Sequence, residues 1–272
     1  MMNIVFFQIA FFLYLLGAAV SLAHLITLKQ RLSQVGRWGL IGGFALHSLA
    51  IFWRVLESGR TPLTNLHEAL SFFAWAIIGV YFLLYLKYRL EVLAAFISPV
   101  AVVLMVLASL FPKEIVPVAP VLESFWLPIH VTLAITGNSM FALAFAAGVM
   151  YLIQERQIKS KRIGAFYRRL PALKVLDDLN YRCLTIGFPL LTLGMITGSI
   201  WAESAWGSYW RWDPKETWSL ITWFLYAALL HGRLTIGWRG RKAAIFAVVG
   251  FASLVFTFLG VNLLLSGMHA FR

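Results

Sequence analysis

Charged side chains are scarce in this sequence. Only 12% of the 272 residues are Asp, Glu, Lys or Arg, whereas 61% are apolar and the mean hydropathy is +0.81. A soluble domain of this length carries about 25% charged residues. Too few charges remain to cover a water-facing surface, so most of the surface is expected to face lipid. The composition therefore excludes an ordinary soluble enzyme.

Cysteine is nearly absent as well, since Cys183 is the only one in the chain. A lone cysteine cannot form an internal disulfide or a two-cysteine redox pair. The chain is therefore not expected to perform dithiol chemistry by itself. No soluble region, low-complexity tract or clear repeat interrupts the sequence, and we interpret residues 1–272 as a single domain.

Apolar runs of about 20 residues, the length that crosses a bilayer, occur eight times. They lie at residues 4–28, 38–56, 66–86, 92–110, 126–153, 183–201, 216–234 and 243–265. The predicted fold class is therefore all-α, a polytopic bundle of about eight transmembrane helices. The first run lacks a basic segment and a cleavage site, so we expect a retained helix.

Basic residues are unevenly distributed among the connecting segments. Most of the 23 Lys and Arg residues fall in four alternate segments, of which residues 154–182 are the richest. The basic side of a multi-pass protein is normally cytoplasmic. Both termini and the segments 57–65, 111–125, 202–215 and 266–272 are then predicted to lie outside, across a bacterial cytoplasmic membrane. The net charge of +12 is explained as a topology signal, and no nucleic-acid partner is expected.

Tryptophan is concentrated in one predicted outer segment. More than half of the 11 tryptophans fall within WAESAWGSYWRWDPKETWSLITW, residues 201–223. An aromatic belt at the membrane interface explains two or three of them, but not a loop in which Gly, Asp and Lys alternate with the rings. We interpret the loop at about 202–215 as a platform for a flat, hydrophobic ring with polar groups. Asp213 and Pro214 are predicted to cap and begin the next helix.

The histidines supply candidate metal ligands, because ionisable groups inside a bilayer are costly and suggest function. His130 and His269 are predicted near the same outer face as the tryptophan loop. Two imidazoles on opposite sides of a ring are what six-coordinate heme iron requires. His231 is expected about 22 Å below the start of its helix, in the inner half of the membrane. His47 is our candidate partner for His231 in a second heme site.

Other residues allow alternative roles. His24 competes with His47 as the partner of His231, and His67 is predicted to be a packing residue. Cations on the predicted outer face are expected either to bind heme propionates or to pair with nearby carboxylates, as Arg54 would with Glu57. These cations are Arg54, Arg60, Arg211 and Lys215.

The string WGSYWRWDPKETWSLITW, residues 206–223, resembles the tryptophan-rich WWD signature of heme-handling membrane proteins. GRTPLTNLHEAL, WLPIHV and NLLLSGMH, at residues 59–70, 126–131 and 262–269, resemble further motifs of the CcsA type in System II cytochrome c biogenesis. HemX proteins are related to that type. The resemblance covers essentially the whole chain, although His67 stands where CcsA proteins usually have Tyr.

This resemblance implies a protein that binds one or two heme b groups and presents heme for covalent attachment to an apocytochrome c with a CxxCH segment. It implies that His130 and His269 ligate iron outside, and that His231 is a ligand within the membrane. A CcsB/ResB-like membrane protein is the implied partner in a cytochrome c heme lyase. The alternative is a HemX-like accessory role in tetrapyrrole synthesis, without ligation. The remaining heme contacts are expected at Trp206, Trp210, Arg211, Trp212, Asp213 and Lys215.

Overall fold

The computed structural model describes residues 2–115, 124–161, 164 and 167–264. Within these residues the chain is helical, and eight helices are long and apolar enough to cross a membrane. The predicted all-α fold class with about eight spans is confirmed. Helices suit this composition because they satisfy every backbone polar group inside the segment, where lipid offers no hydrogen-bond partner.

The chain divides into two compact units, and each is described by itself. The first unit spans Met1–Pro117 with Ile163–Pro171, and its described residues form a short 3₁₀ helix and four long α-helices. Within it, α1 packs on α2 and α4, and α3 packs on α4 and α2. The long helices are α1 (Met2–Thr27), α2 (Gln30–Ser58), α3 (Leu66–Tyr88) and α4 (Leu93–Leu110), and the 3₁₀ helix is Tyr167–Arg169.

The connection between α2 and α3 carries the GRTPLTNLHEAL motif. Gly59 ends α2 in the left-handed conformation, with φ 70°, which glycine adopts without strain. Asn65 then caps α3 by accepting a hydrogen bond from the Glu68 backbone N–H at 2.8 Å. The Glu68 carboxylate accepts hydrogen bonds from the Thr64 backbone N–H and hydroxyl, at 2.8 and 3.0 Å. These local bonds fold the connection onto the first turn of α3.

The second unit, Val118–Arg162 with Ala172–Arg272, contains the remaining helices. α5 packs along α6 and α8, and α7 packs on α8 and α6. α7 and α8 each continue through a π-helical turn, at Gly232–Ile236 and Phe256–Gly260. The helices are α5 (Trp126–Lys159), α6 (Leu173–Trp206), α7 (Pro214–His231), α8 (Arg241–Val255) and α9 (Val261–Leu264).

Several helices are longer than the apolar runs that predicted them. α2 begins at Gln30 instead of residue 38, and α6 begins at Leu173 instead of residue 183. In both cases the more polar residues before the apolar run contain no proline, so they continue the helix. α6 also extends to Trp206, so the tryptophan loop predicted at 202–215 narrows to residues 207–213. The single domain and the outside location of both termini stay predictions.

Candidate functional site

A recess in the second unit lies where α5, α6 and the start of α7 meet. His130 enters it from α5, Trp201 and Gly198 from α6, Trp210 from the tryptophan loop, and Lys215 from α7. The structure therefore brings together three predicted site residues: His130, Trp210 and Lys215. Their functional roles stay predictions, and we next consider how each is held.

The His130 ring is oriented by the backbone of the neighbouring helix. Its Nδ1 lies 2.7 Å from the Gly194 carbonyl oxygen. Because a carbonyl only accepts hydrogen bonds, Nδ1 carries the proton, and Nε2 is the basic nitrogen of the neutral ring. Histidines that ligate metals usually donate their other ring N–H to a carboxylate or backbone carbonyl in this way. His130 thus has the tautomer that an iron ligand requires.

Small residues of α6 make room for this ring. A Cβ atom at Gly198 would lie 2.5 Å from His130 Nδ1, closer than any real Cβ contact. Trp201, which is only 4% exposed, lies nearly parallel to the imidazole, with 6.4 Å between centroids and 19° between planes. Sequence reasoning gave Trp201 no role. Its spacing of three and seven residues from Gly198 and Gly194 places all three on one helix face, which is a readable signal.

The tryptophan loop is fixed at both ends. Gly207 ends α6 with φ 70° and donates its N–H to the Glu203 carbonyl. At the other end, Asp213 accepts a hydrogen bond from the Glu216 N–H at 2.8 Å, and the Glu216 carboxylate accepts one from the Asp213 N–H at 3.3 Å. This capping box, with Pro214 in the first turn, confirms the predicted helix start. The Asp213 carboxylate therefore caps a helix.

The tryptophans of the loop form edge-to-face pairs. Trp206 meets Trp201 at 4.9 Å and 65°, and Trp210 meets Trp212 at 5.7 Å and 86°. Trp212 is 68% exposed and has φ 59°, a left-handed conformation that is unfavourable for an aromatic residue. The Trp210 indole N–H is buried, and no described residue accepts a hydrogen bond from it. Buried donors normally have an acceptor, so a ligand with an anionic oxygen would suit this position.

The predicted cations separate into different environments. Lys215 lines the recess, whereas the Arg211 guanidinium donates to the Trp206 carbonyl and stabilises the loop. Arg54 lies in the first unit, where its Nε donates to Glu68 at 2.7 Å, so the alternative pairing with Glu57 is wrong. Only Lys215 among these three is therefore directed to the recess.

The recess fits heme in the nature of its donors. His130 offers an imidazole, Trp201 and Trp210 offer aromatic surfaces, and Lys215 with the Trp210 N–H suits carboxylates. The described residues contain no group of three or more His, Cys, Asp or Glu that would hold a bare metal ion. A metal held here must bring most of its own ligands, as iron does within a porphyrin.

Comparison with known proteins assigns the family. Residues 63–269 match the family described as Cytochrome C assembly protein. The chain belongs to this cytochrome c assembly family. It is 40% identical over 232 residues to the cytochrome c biogenesis protein CcsA of Chlamydomonas reinhardtii, an alignment that covers 82% of this chain and 64% of the relative. It is 35% identical over 266 residues to CcsA of Microcystis aeruginosa, covering 80% of this chain and 81% of the relative.

The same architecture occurs in a larger solved structure. The Cytochrome c Heme Lyase CcmF matches 95% of this chain with a TM-score of 0.69 and 20% sequence identity, and the match covers 46% of the CcmF chain. At this identity the likeness shows the fold alone. The chain spans less than two thirds of the Chlamydomonas relative and less than half of CcmF.

Membership of the cytochrome c assembly family gives the chain a role in cytochrome c maturation, a process that involves heme. The eight apolar helices among the described residues make it a multi-pass membrane protein. The relatives named above are from an alga and a cyanobacterium. The bacterial cytoplasmic membrane therefore stays a prediction.

None of the other predicted iron ligands that the structure describes lines the recess. His231 is exposed on the last turn of α7, directly before a π-helical turn. His47 is fully buried on α2, with Nε2 2.8 Å from the Ser71 hydroxyl. His47 belongs to the first unit and His231 to the second, and their pairing stays a prediction. His269 lies outside the described residues.

Proposed function

We propose that this chain binds heme in the recess of the second unit and presents it on the predicted outer face for attachment to apocytochrome c. The observation that carries this proposal is the orientation of His130. Its Nδ1–H donates to the Gly194 carbonyl while the ring lines a recess that also contains the tryptophan loop. Family membership supports the same conclusion, because cytochrome c maturation requires a protein that handles heme.

Heme is the substrate in this proposal, and the residues divide the work of holding it. His130 and His269 ligate the iron from opposite sides. Lys215 and the Trp210 N–H contact the propionates, which are anionic and suit a cation and a buried donor. His231 is a further iron ligand within the membrane, and its exposed position is consistent with contact to a partner. The aromatic faces for the ring are supplied by Trp206, Trp210 and Trp212.

Attachment of heme to apocytochrome c requires the protein to position the reactants and does not require a nucleophile from the protein. Each thiol of a CxxCH segment adds across a heme vinyl group: the sulfur bonds one vinyl carbon, the hydrogen goes to the other, and nothing leaves. The substrate therefore supplies its own nucleophiles. We propose that this chain orients the vinyl edge toward the thiols, acting with a CcsB/ResB-like protein as a cytochrome c heme lyase.

A HemX-like role would use the same heme site without ligation. The relatives named above are cytochrome c biogenesis proteins, which supports assembly over an accessory role in tetrapyrrole synthesis. Co-expression with a CcsB/ResB-like partner in cells that lack their own assembly system separates the two. Assembly predicts covalent heme on a reporter cytochrome c, and a HemX-like protein predicts none.

The direct test of heme binding is the absorbance spectrum of the detergent-purified protein, oxidised and dithionite-reduced. We expect a low-spin b-type spectrum in the wild type and loss of most outer-site heme in His130→Ala. Thr132→Ala is the matched control, because Thr132 is exposed on the same helix and is not part of the recess. A colourless wild type after heme supplementation, or a His130→Ala variant with normal heme and normal maturation, would contradict the proposal.

A further inference from the structure

Three cations of the second unit lie together at the end of α5 that is remote from the recess. They are Lys159 on the last turn of α5 and Arg241 and Lys242 on the first turn of α8, and all three are exposed. We call them the basic cluster. Lys159 lies 29 residues beyond His130 on the same helix, which is about 44 Å at 1.5 Å per residue. The recess therefore does not use these cations.

One carboxylate brings two of the cations together. The Glu155 carboxylate lies 2.8 Å from Lys159 Nζ and 3.8 Å from Arg241 Nε. Both cationic side chains are nevertheless 60% exposed, whereas that of Glu155 is only 16% exposed. Lys242 adds a third positive charge and has no ion-pair partner among the residues that the structure describes. A single negative charge thus faces three positive ones, so the basic cluster attracts a further anion.

The backbone that carries two of these cations is held in place. The Gly240 N–H donates to the Asp177 carboxylate at 2.9 Å. The Trp238 N–H donates to the Gly232 carbonyl, also at 2.9 Å. The Lys242 ammonium lies 5.9 Å from the centroid of the Trp238 ring. Tryptophan beside lysine and arginine at the end of a spanning helix is typical of the membrane interface, where lipid headgroups lie.

An apolar strip continues from the basic cluster along α8. Arg241, Ile245 and Val249 are spaced four residues apart, so they lie on one face of the helix. Ile245 and Val249 are 41% and 48% exposed, whereas Ala243 and Ala247 on the other side of the helix are fully buried. The strip from Arg241 to Val249 is about 12 Å long, since eight residues rise 1.5 Å each. A molecule that matches this face has an anionic group at one end and an apolar chain below it.

We propose that the basic cluster and the apolar strip bind one anionic phospholipid. The headgroup phosphate contacts Lys159, Arg241 and Lys242, because ammonium and guanidinium groups form strong, charge-assisted hydrogen bonds with phosphate oxygens. An acyl chain covers Ile245 and Val249. Clusters of Lys and Arg directly beside a spanning helix attract anionic headgroups. The apolar strip favours a lipid over a free phosphate ion, which has no chain to place on it. This proposal is independent of the proposed function, since it involves no contact with heme.

The first experiment measures which lipid the protein retains. Detergent-purified protein is incubated with equal amounts of dioleoylphosphatidylglycerol and dioleoylphosphatidylcholine, which share their acyl chains and differ in headgroup charge. Native mass spectrometry counts the bound lipids. We expect the wild type to retain mainly phosphatidylglycerol. Lys159→Gln/Arg241→Gln/Lys242→Gln should retain about tenfold less of it, because each cation near the membrane surface contributes to the attraction. Equal retention of both lipids by the wild type, or unchanged retention by the variant, overturns the proposal.

A matched control removes the same number of charges elsewhere. Arg31→Gln/Lys87→Gln/Arg168→Gln changes three exposed cations of the first unit on the same predicted side of the membrane. This control should retain phosphatidylglycerol as the wild type does. Equal losses in the two triple variants would mean that net charge alone attracts the lipid, and the proposed site would then be wrong.

The second experiment guards against loss of folding and separates a lipid from its headgroup. Lys159→Arg/Arg241→Lys/Lys242→Arg keeps all three charges and should retain phosphatidylglycerol. Glycerophosphoglycerol, which is the same headgroup without acyl chains, should not displace the bound lipid at equal concentration. Loss of the lipid from the charge-conserving variant, or displacement by the soluble headgroup, contradicts the proposal. Absence of heme from the wild type would overturn the proposed function and leave this site untouched.

Discussion

Two clusters at opposite ends of the second unit satisfy their polar groups in different ways. At the recess end, the buried Trp210 indole N–H has no acceptor among the described residues. At the other end, Asp177 accepts two hydrogen bonds from the Arg233 guanidinium, both 3.0 Å, and one from the Gly240 N–H at 2.9 Å. Arg233 also lies over the Tyr181 ring, 4.9 Å from its centroid.

The comparison indicates that the Asp177–Arg233 cluster has a structural role, whereas the cluster around Trp210 has a donor that a ligand could use. A buried donor without an acceptor costs about 1–3 kcal/mol, and a ligand that offered an acceptor to the Trp210 N–H would recover that cost. The Asp177–Arg233 cluster is complete, and it joins the start of α6 to the connection between α7 and α8. Both clusters contain charged and aromatic residues, so composition alone does not distinguish them. What distinguishes the two clusters is whether each hydrogen-bonding group named above has a partner.

The largest effect is expected at the Asp177–Arg233 ion pair. Arg233→Leu leaves the Asp177 carboxylate without its cation. The two side chains are only 5% and 14% exposed, so water cannot replace the guanidinium well. Removing one partner of such a pair should lower the free energy of unfolding by about 3 kcal/mol. Thermal unfolding in detergent, followed by tryptophan fluorescence, measures this loss. Arg239→Leu, at an exposed arginine six residues further along, should change little, and equal losses in both variants would show that the ion pair is not the cause.

An intermediate effect is expected where the recess is shaped. Gly198→Ala places a methyl group against the His130 ring, so we expect about tenfold weaker heme binding, or about 1.4 kcal/mol, and a partly high-spin spectrum. Titration with heme, followed by absorbance, measures both.

The control for that variant lies on the same helix face. Gly187→Ala crowds Met140 at 3.0 Å without touching His130. It should lower stability and leave the heme spectrum unchanged. If Gly187→Ala changes the spectrum as much as Gly198→Ala does, then the change results from general packing between α5 and α6 and not from the contact between residue 198 and the His130 ring.

The smallest effect is expected at Trp212. Its left-handed backbone conformation costs about 1 kcal/mol for a residue with a Cβ atom, and glycine removes that cost. Trp212→Gly should therefore be more stable than Trp212→Ala by about 1 kcal/mol, with weakened heme binding in both because the ring is lost. Thermal unfolding compares the two variants. Equal stabilities would indicate that the loop relaxes once the ring is removed.

Local features of this molecule were readable from the sequence. Apolar runs predict the helices because lipid demands about 20 consecutive apolar residues. The Asp213 to Glu216 spacing predicts a capped helix start because both partners lie within one turn. The apolar run at residues 126–153 also predicts that His130 lies near one end of α5, and His130 lines the recess there.

Contacts between helices were not readable in the same way. Arg54 pairs with Glu68 across two helices, whereas the nearer Glu57 was the expected partner. The Gly194 carbonyl that orients His130 lies 64 residues away in sequence. Such pairs depend on which helix faces pack together, and a single sequence of uniformly apolar helices specifies this weakly. The π-helical turn after His231 carries no local sequence signal either.

The continuity of α7 has a mechanical consequence. Lys215 lies on its first turn, at the recess, and His231 lies on its last, with no Pro or Gly between them. Sixteen residues at 1.5 Å each make a rod of about 24 Å. A rod without a hinge acts as a lever, so a tilt that adjusts one end displaces the other. Binding of a ligand at the recess would therefore displace His231, most of a membrane thickness away, without any chain of intervening contacts.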